Sequence, residues 1–403
     1  MAILTNEKQL DKVLERYYNR YNKYNEKVLK LLGKTIKEIG DMKPSEVHRL
    51  GQQIKYSEDI DKIVQDLADI TDKSVEDIEK LFDKFAKENV EFAEVYYEAK
   101  DKEYVGYDNN IRLQRMVEGI ATNTSNKMIN LSNTRAIGFV YKDDNGNVEF
   151  KGLKKAYYDL VDEAVYQVAT GTKDYGSAMR SVMNGLADSG IRTHEEKIGY
   201  KSGYSRRLDS AIRQNVLDGL RDVNQNIQNQ IGEEIGANGI EISAHFPCAW
   251  DHLDIQGRRY IAKDGETTED VIDRVNSNLD RPIGEYNCKH FIMPIIVGVD
   301  EPMYSEHRLW KWKQMSNEKI EYEGKRYTPY EATQMQRKLE TAIRQQKDRQ
   351  IVARASGDKD GIRLAQQKIT ELNNKYSDFS RAMNMDTYKN RLTVSGYRRV
   401  KTS

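Results

Sequence analysis

The chain has 403 residues, 38% hydrophobic and 32% charged, with 64 Lys and Arg balanced by 64 Asp and Glu. That length allows roughly two or three domains, each with its own core, and a mean hydropathy of −0.81 demands a heavily solvated surface. The longest apolar runs, such as 291–299, fall far short of the roughly twenty residues that span a bilayer, and the first residues lack a basic segment leading into an apolar core; neither a membrane partner nor an export signal is expected.

Proline usage marks the organisation. Only Pro44 occurs in the first 246 residues, which leaves that stretch free to be helical. Leu10, Leu14, Tyr17, Tyr21, Tyr24, Val28 and Leu31 step by threes and fours along one helical seam, which Gly33 is expected to end. Ser74 with Asp77 reads as a capping box opening a new helix before Ile78, Leu81, Phe82 and Phe85. Helical periodicity recurs over 90–104, 111–131, 154–170, 175–186 and 206–235. A β-hairpin near 136–150 interrupts it, with Asn145-Gly146 as the tight turn. The 25 tyrosines spread along these helices read as packing faces. Residues 1–236 are thus an elongated helical region.

Past Gly236 the pattern changes to a small α+β module over 237–304. Strands are expected at 239–244, 256–261 and 291–297, with a helix at 269–279 between the last two. Residues 305–403 then offer a hairpin at 320–328, a helix over 330–355, a turn at 356–361, and an apolar stripe of Ala365, Ile369, Leu372, Tyr376, Phe379 and Met383. Two antiparallel helices packed as a coiled coil are implied. The fold class is mainly α.

Charge is uneven. Residues 305–403 hold 22 Lys and Arg against 12 Asp and Glu, a balance of +10 that leaves −10 on the rest. The tail from 387 onward carries Lys389, Arg391, Arg398, Arg399 and Lys401 with no acid. Such a tail can neutralise DNA phosphates, meet an acidic protein surface or stay solvated.

Both cysteines and four of the six histidines fall within 245–307. Cys248 and His252 form one pair and Cys288 and His290 a second, enough soft and borderline donors to close a tetrahedral structural zinc site. His245 can take the place of Cys248. Buried cysteine is also common for packing alone, and a Cys248–Cys288 disulfide is disfavoured by the sparse cysteine usage. Enzyme signatures are wanting. Pro247-Cys248 lacks the second Cys and the His-x-Glu of a zinc deaminase, and there is no phosphate-cradling loop or nucleophile elbow. A metal-dependent nuclease or phosphodiesterase built on His245, Asp251, His252 and Asp254 is the alternative chemistry.

These residues carry a resemblance. The run Asp251-His252 to Gln256-Gly257 and Tyr260, then Asn287-Cys288-Lys289-His290 to Pro294, then Gly298 to Ser305, is similar to the bacteriophage minor capsid protein 2 family, itself related to Mu F-like head morphogenesis proteins. The likeness extends through Tyr330 to Glu340 and the closing Val394 to Arg399. It implies a non-enzymatic component of the virion, inside the capsid, with the portal protein and other capsid proteins as partners, DNA as a further contact through the basic C-terminal region, and the host cytoplasm as the place of assembly. Mu F-like proteins place Cys-x-Cys after His-Pro-x where this chain has Cys288-x-His290 after Asn287. Relatives often lack a cysteine at the place of Cys248, which ranks Cys288, His290 and His252 above it as ligands.

Overall fold

Helix α1, Glu7–Gly40, buries the seam expected of it: Leu14, Tyr17, Tyr21, Tyr24 and Val28 are inside, and Leu32, Ile36 and Ile39 continue the stripe. It does not end at Gly33. A Cβ there would lie 2.6 Å from Ala355 Cβ and 2.8 Å from Val352 O, so the glycine permits close helix packing instead of a helix stop. The computed structural model describes residues 7–42, 55–133, 136–142, 148–170, 175–195, 204–284 and 288–400, and they are mainly α. Two compact units form: Met1–Leu14, Val75–Asn126 and Gln214–Gln334 make the first, and Glu15–Ser74, Lys127–Arg213 and Met335–Ser403 the second.

Helix α2 runs unbroken over Lys55–Ala99, so Ser74 opens no helix. Its hydroxyl instead donates to Ile70 O at 2.7 Å, the bond a mid-helix serine makes to the carbonyl four residues back. Helix α3, Ile111–Leu131, follows.

In the second unit, β1 (Ile137–Lys142) and β2 (Val148–Gly152) form the expected hairpin, in register from Gly138 opposite Gly152 to Lys142 opposite Val148. Its Asn145-Gly146 turn lies outside the described residues. Helices α4 (Leu153–Ala169) and α5 (Tyr175–Ser189) come next, then two short strands that the sequence pattern does not announce, β3 (Arg192–Glu195) and β4 (Tyr204–Arg207). They complete an antiparallel sheet in the order β2-β1-β3-β4.

The long α6 occupies Leu208–Ile235. In the first unit, the strands β5 (Gly239–Ile242), β6 (Arg259–Ile261) and β7 (Ile292–Ile295) form an antiparallel sheet with β5 at its centre. Helix α7, Thr268–Asn276, starts at a capping box between Thr267 and Asp270 and lays Val271 and Val275 on Ile240, Ile242 and Ile292. Burying each such side chain is worth about 1.5–3 kcal/mol, and this small core holds the loops that carry the cysteines and histidines. Helix α8, Glu306–Asn317, buries only Ser316, which is why no apolar stripe marks it in the sequence. The hairpin β8 (Ile320–Tyr322) and β9 (Lys325–Tyr327) is as expected.

Helices α9 (Pro329–Ser356) and α10 (Lys359–Ala382) run antiparallel in the second unit, with Gln336 bonded to Ser380, Tyr376 to Glu340 and Gln350 to Gln366. Beneath them lies a buried ionic network. Arg207 donates to Asp348 at 2.9 Å and to Asp209 at 3.4 Å, while Asn25 Nδ2 donates to the other oxygen of Asp348 at 3.2 Å. Burial pushes the Asp348 carboxyl up; it opposes ionisation of Asp209 too, yet Arg207 and Arg344 outweigh it and hold that carboxyl below its ordinary value.

Candidate metal centre

The loop after β5 carries His245, Cys248 and, in a 3-10 turn at Trp250–His252, His252; the segment entering β7 carries Cys288 and His290. Cys248, His252, Cys288 and His290 are all buried, each at most 4% exposed, and both cysteines are free thiols. Cys288 Sγ lies 3.4 Å from His252 Nδ1 and 3.2 Å from His290 Nδ1. Two donors on a tetrahedral zinc, one sulfur and one nitrogen, sit about 3.6 Å apart, so this spacing suits a shared ion with little movement.

His290 presents its other face to a second group. Its Nε2 lies 3.7 Å from Cys248 Sγ and 3.4 Å from Gln256 Oε1, and its ring centroid is 4.4 Å from that of His245. The five candidate ligands therefore gather as two triads able to hold a metal, His252–Cys288–His290 and His245–Cys248–His290, sharing one imidazole. One ring cannot offer both nitrogens to one ion, because they point in opposite directions.

Electrostatics separates the triads. Burial resists ionisation of Cys288, but bonds from His252 and from the backbone of Gly284 and His290 prevail and lower its pKa. Burial, with Cys288 and Asp251 nearby, pushes the Cys248 thiol up to about 12, and it donates to Ala249 O at 3.2 Å. His290 is held neutral, its pKa lowered to about 2 by burial and by the neighbouring His245 and His252. Burial lowers His252 as well, but Cys288 and the Arg281 carbonyl outweigh it and leave a net rise. Thiolate and neutral imidazole are the metal-binding forms. Cys288 and His290 are biased toward them; Cys248 and, through its raised pKa, His252 are not.

The surroundings orient the first triad. His252 Nε2 donates to Arg281 O at 2.8 Å, which turns the lone pair of Nδ1 toward Cys288. Gln256 accepts from the backbone N–H of His245 at 3.1 Å and so stands fixed beside His290 Nε2. Arg281 grips both oxygens of Asp251 at 2.9 Å. Neither Gln256 nor Arg281 is signalled as a supporting residue by ligand spacing, since each acts through the outward nitrogen of a ring.

Of the residues of the nuclease alternative, His245 and His252 join the candidate metal groups and the two aspartates do not. Asp251 is engaged by Arg281, Asp254 faces Lys313 at the surface, and neither belongs to a candidate metal group among the described residues.

The basic tail folds back on the second unit. Leu392 and Val394 are buried, and Thr393 O accepts from Tyr18 Oη at 3.2 Å and Asn22 Nδ2 at 3.0 Å. Arg391 lies over the Tyr388 ring at 3.9 Å, whereas Lys389, Arg398 and Arg399 are exposed. Lys401 falls outside the described residues.

The profile of the family described as Phage minor capsid protein 2 matches residues 5–380, nearly the whole chain. The chain belongs to the phage minor capsid protein 2 family. No curated protein and no solved structure matches it. The match spans every residue of both triads. No helix among the described residues of this minor capsid protein is long and apolar enough to cross a membrane.

Proposed function

We propose that this minor capsid protein is a structural component of the capsid interior, associated with the portal and other capsid proteins, assembled in the host cytoplasm, and stabilised by zinc in the 237–304 segment. The observation that carries the reading is the family match over residues 5–380. His252 through Nδ1, Cys288 through Sγ and His290 through Nδ1 would hold the zinc. Two imidazoles and a thiolate are the donor set that borderline-soft zinc prefers. Cys248 and His245 flank it on the far side of His290. The ion ties a loop after β5 to the entrance of β7 and so strengthens a small core. The tail cations contact packaged DNA, through the exposed Lys389, Arg398 and Arg399 together with Arg391 and Lys401 of the same sequence.

Protease treatment of heads tests the placement. The protein resists cleavage in intact particles, becomes cleavable after osmotic rupture, and sediments with the portal ring from disrupted heads. Cleavage in intact heads, or sedimentation apart from the portal, would remove the reading.

A further inference from the structure

Helix α8 is an exposed element of unusual composition. Its run His307 to Lys313 holds two of the three tryptophans of the chain together with Arg308, Lys311 and Lys313, and no acid occurs between His307 and Asn317. The helix is fixed from beneath. Ser305 caps it by accepting from Arg308 N at 3.3 Å, and Leu309 packs on Gly257, where a Cβ would lie 2.4 Å from the leucine. Gly257 also has φ +70, a second reason for glycine there. Lys313 reaches Asp254.

The apolar side chains Leu309 and Met315 are half-buried, so the outward face offers little aliphatic area. It offers an indole instead: Trp310 is 59% exposed, with the His307 ring stacked against it at 6.0 Å and 26°. Arg308 stands over Trp312 at 4.6 Å, which holds its guanidinium at the edge of that face, and Lys311 is exposed on it. Protein interfaces also anchor on Trp and Arg but are depleted in Lys, whereas Lys311 stands exposed here beside the indole. An aromatic platform flanked by Arg308 and Lys311, with Glu306 one turn before Trp310 as the single acid of the helix, matches a polyanion that carries rings of its own. The hairpin that follows is mixed in sign, with Glu318, Glu321 and Glu323 among Lys319, Lys325 and Arg326, and takes no part.

We propose that the outward face of α8, formed by His307, Arg308, Trp310 and Lys311, binds single-stranded nucleic acid, with a base stacked on Trp310 and phosphates at Arg308 and Lys311. This site is separate from the tail and does not depend on the tail contacting DNA.

The test uses the full chain, a labelled short oligothymidylate and a duplex of the same length. Oligothymidylate quenches tryptophan fluorescence. Trp310→Ala weakens its binding about tenfold and Trp310→Phe far less, as expected when stacking dominates. Lys311→Gln makes the dependence of log affinity on log salt shallower by about 0.7. Neutralising Lys389, Arg398 and Arg399 together leaves the quenching in place, which separates this site from the tail. Unchanged affinity in Trp310→Ala with an unchanged melting temperature overturns the proposal. So does competition by polyglutamate as effective as that of the oligonucleotide. Loss of portal sedimentation in Trp310→Ala with oligonucleotide affinity intact would make α8 a protein interface and equally overturn it.

Discussion

Two buried polar clusters in this molecule solve the same problem in opposite ways. Around Arg207, one cation meets the carboxylates of Asp348 and Asp209, and Asn25 fills a remaining acceptor. Around His290, the buried atoms are thiol sulfurs and imidazole nitrogens, all electron-pair donors in their metal-binding forms. The first cluster carries its own positive charge, whereas the second reaches balance through protons or through a cation from outside. Burial alone therefore does not tell a structural network from a ligand site; the signs of the converging atoms do.

The sharpest way to break this contrast is Cys288→Ser in zinc-loaded protein. Bound zinc falls from about one per chain to near zero by elemental analysis, and the melting temperature drops, because apparent binding energies of about 10 kcal/mol or more belong to folding at structural sites. Cys248→Ser keeps most of the metal. Equal zinc in wild type and Cys288→Ser ends the metal reading.

Next in size is Asp348→Ala, which leaves the buried Arg207 cation with Asp209 alone, in a site where Asp348 is 0% exposed. A loss of about 3–5 kcal/mol is expected in urea unfolding. Replacing Asp348 by Leu, Asp209 by Asn and Arg207 by Met together recovers much of it; a triple mutant as unstable as Asp348→Ala would show that the network does more than satisfy itself. Gln256→Ala should weaken zinc about 10–100-fold through His290, measured by competition with a chelator, with little change in the metal-free protein. The smallest effect is Gly33→Ala. Contact with Ala355 and Val352 costs about 1–3 kcal/mol and the gain in helix propensity returns about 1 kcal/mol, so a small net loss is expected. A stabilised variant would show that the helices simply move apart.

Much of this was legible in the sequence where a residue type and a spacing both constrain it. The tyrosine seam of α1, the β1–β2 hairpin, the stripe of α10 and the gathering of His252 with Cys288 and His290 follow from periodicity or ligand chemistry. What escaped depends on partners distant in the chain. Gly33 stops no helix because Ala355 and Val352 need its missing side chain. Ser74 caps nothing because α2 already runs through it. Strands β3 and β4 are short and polar, held by pairing with β1 and with each other. The division of the five ligands into two triads turns on which nitrogen of His290 faces which sulfur, and spacing along the chain carries no trace of that.

The bonds from Tyr18 and Asn22 to Thr393, and from Asn25 to Asp348, join the two extremes of the described chain. On the ribosome, α1 meets α2 early, where Tyr21 bonds Thr71, but its bonds to Asp348 and Thr393 wait until most later residues have been made. Closure of the second unit is thus a late event of high contact order, and nascent chains stalled before α9 would leave Asn22 and Asn25 of α1 without these partners.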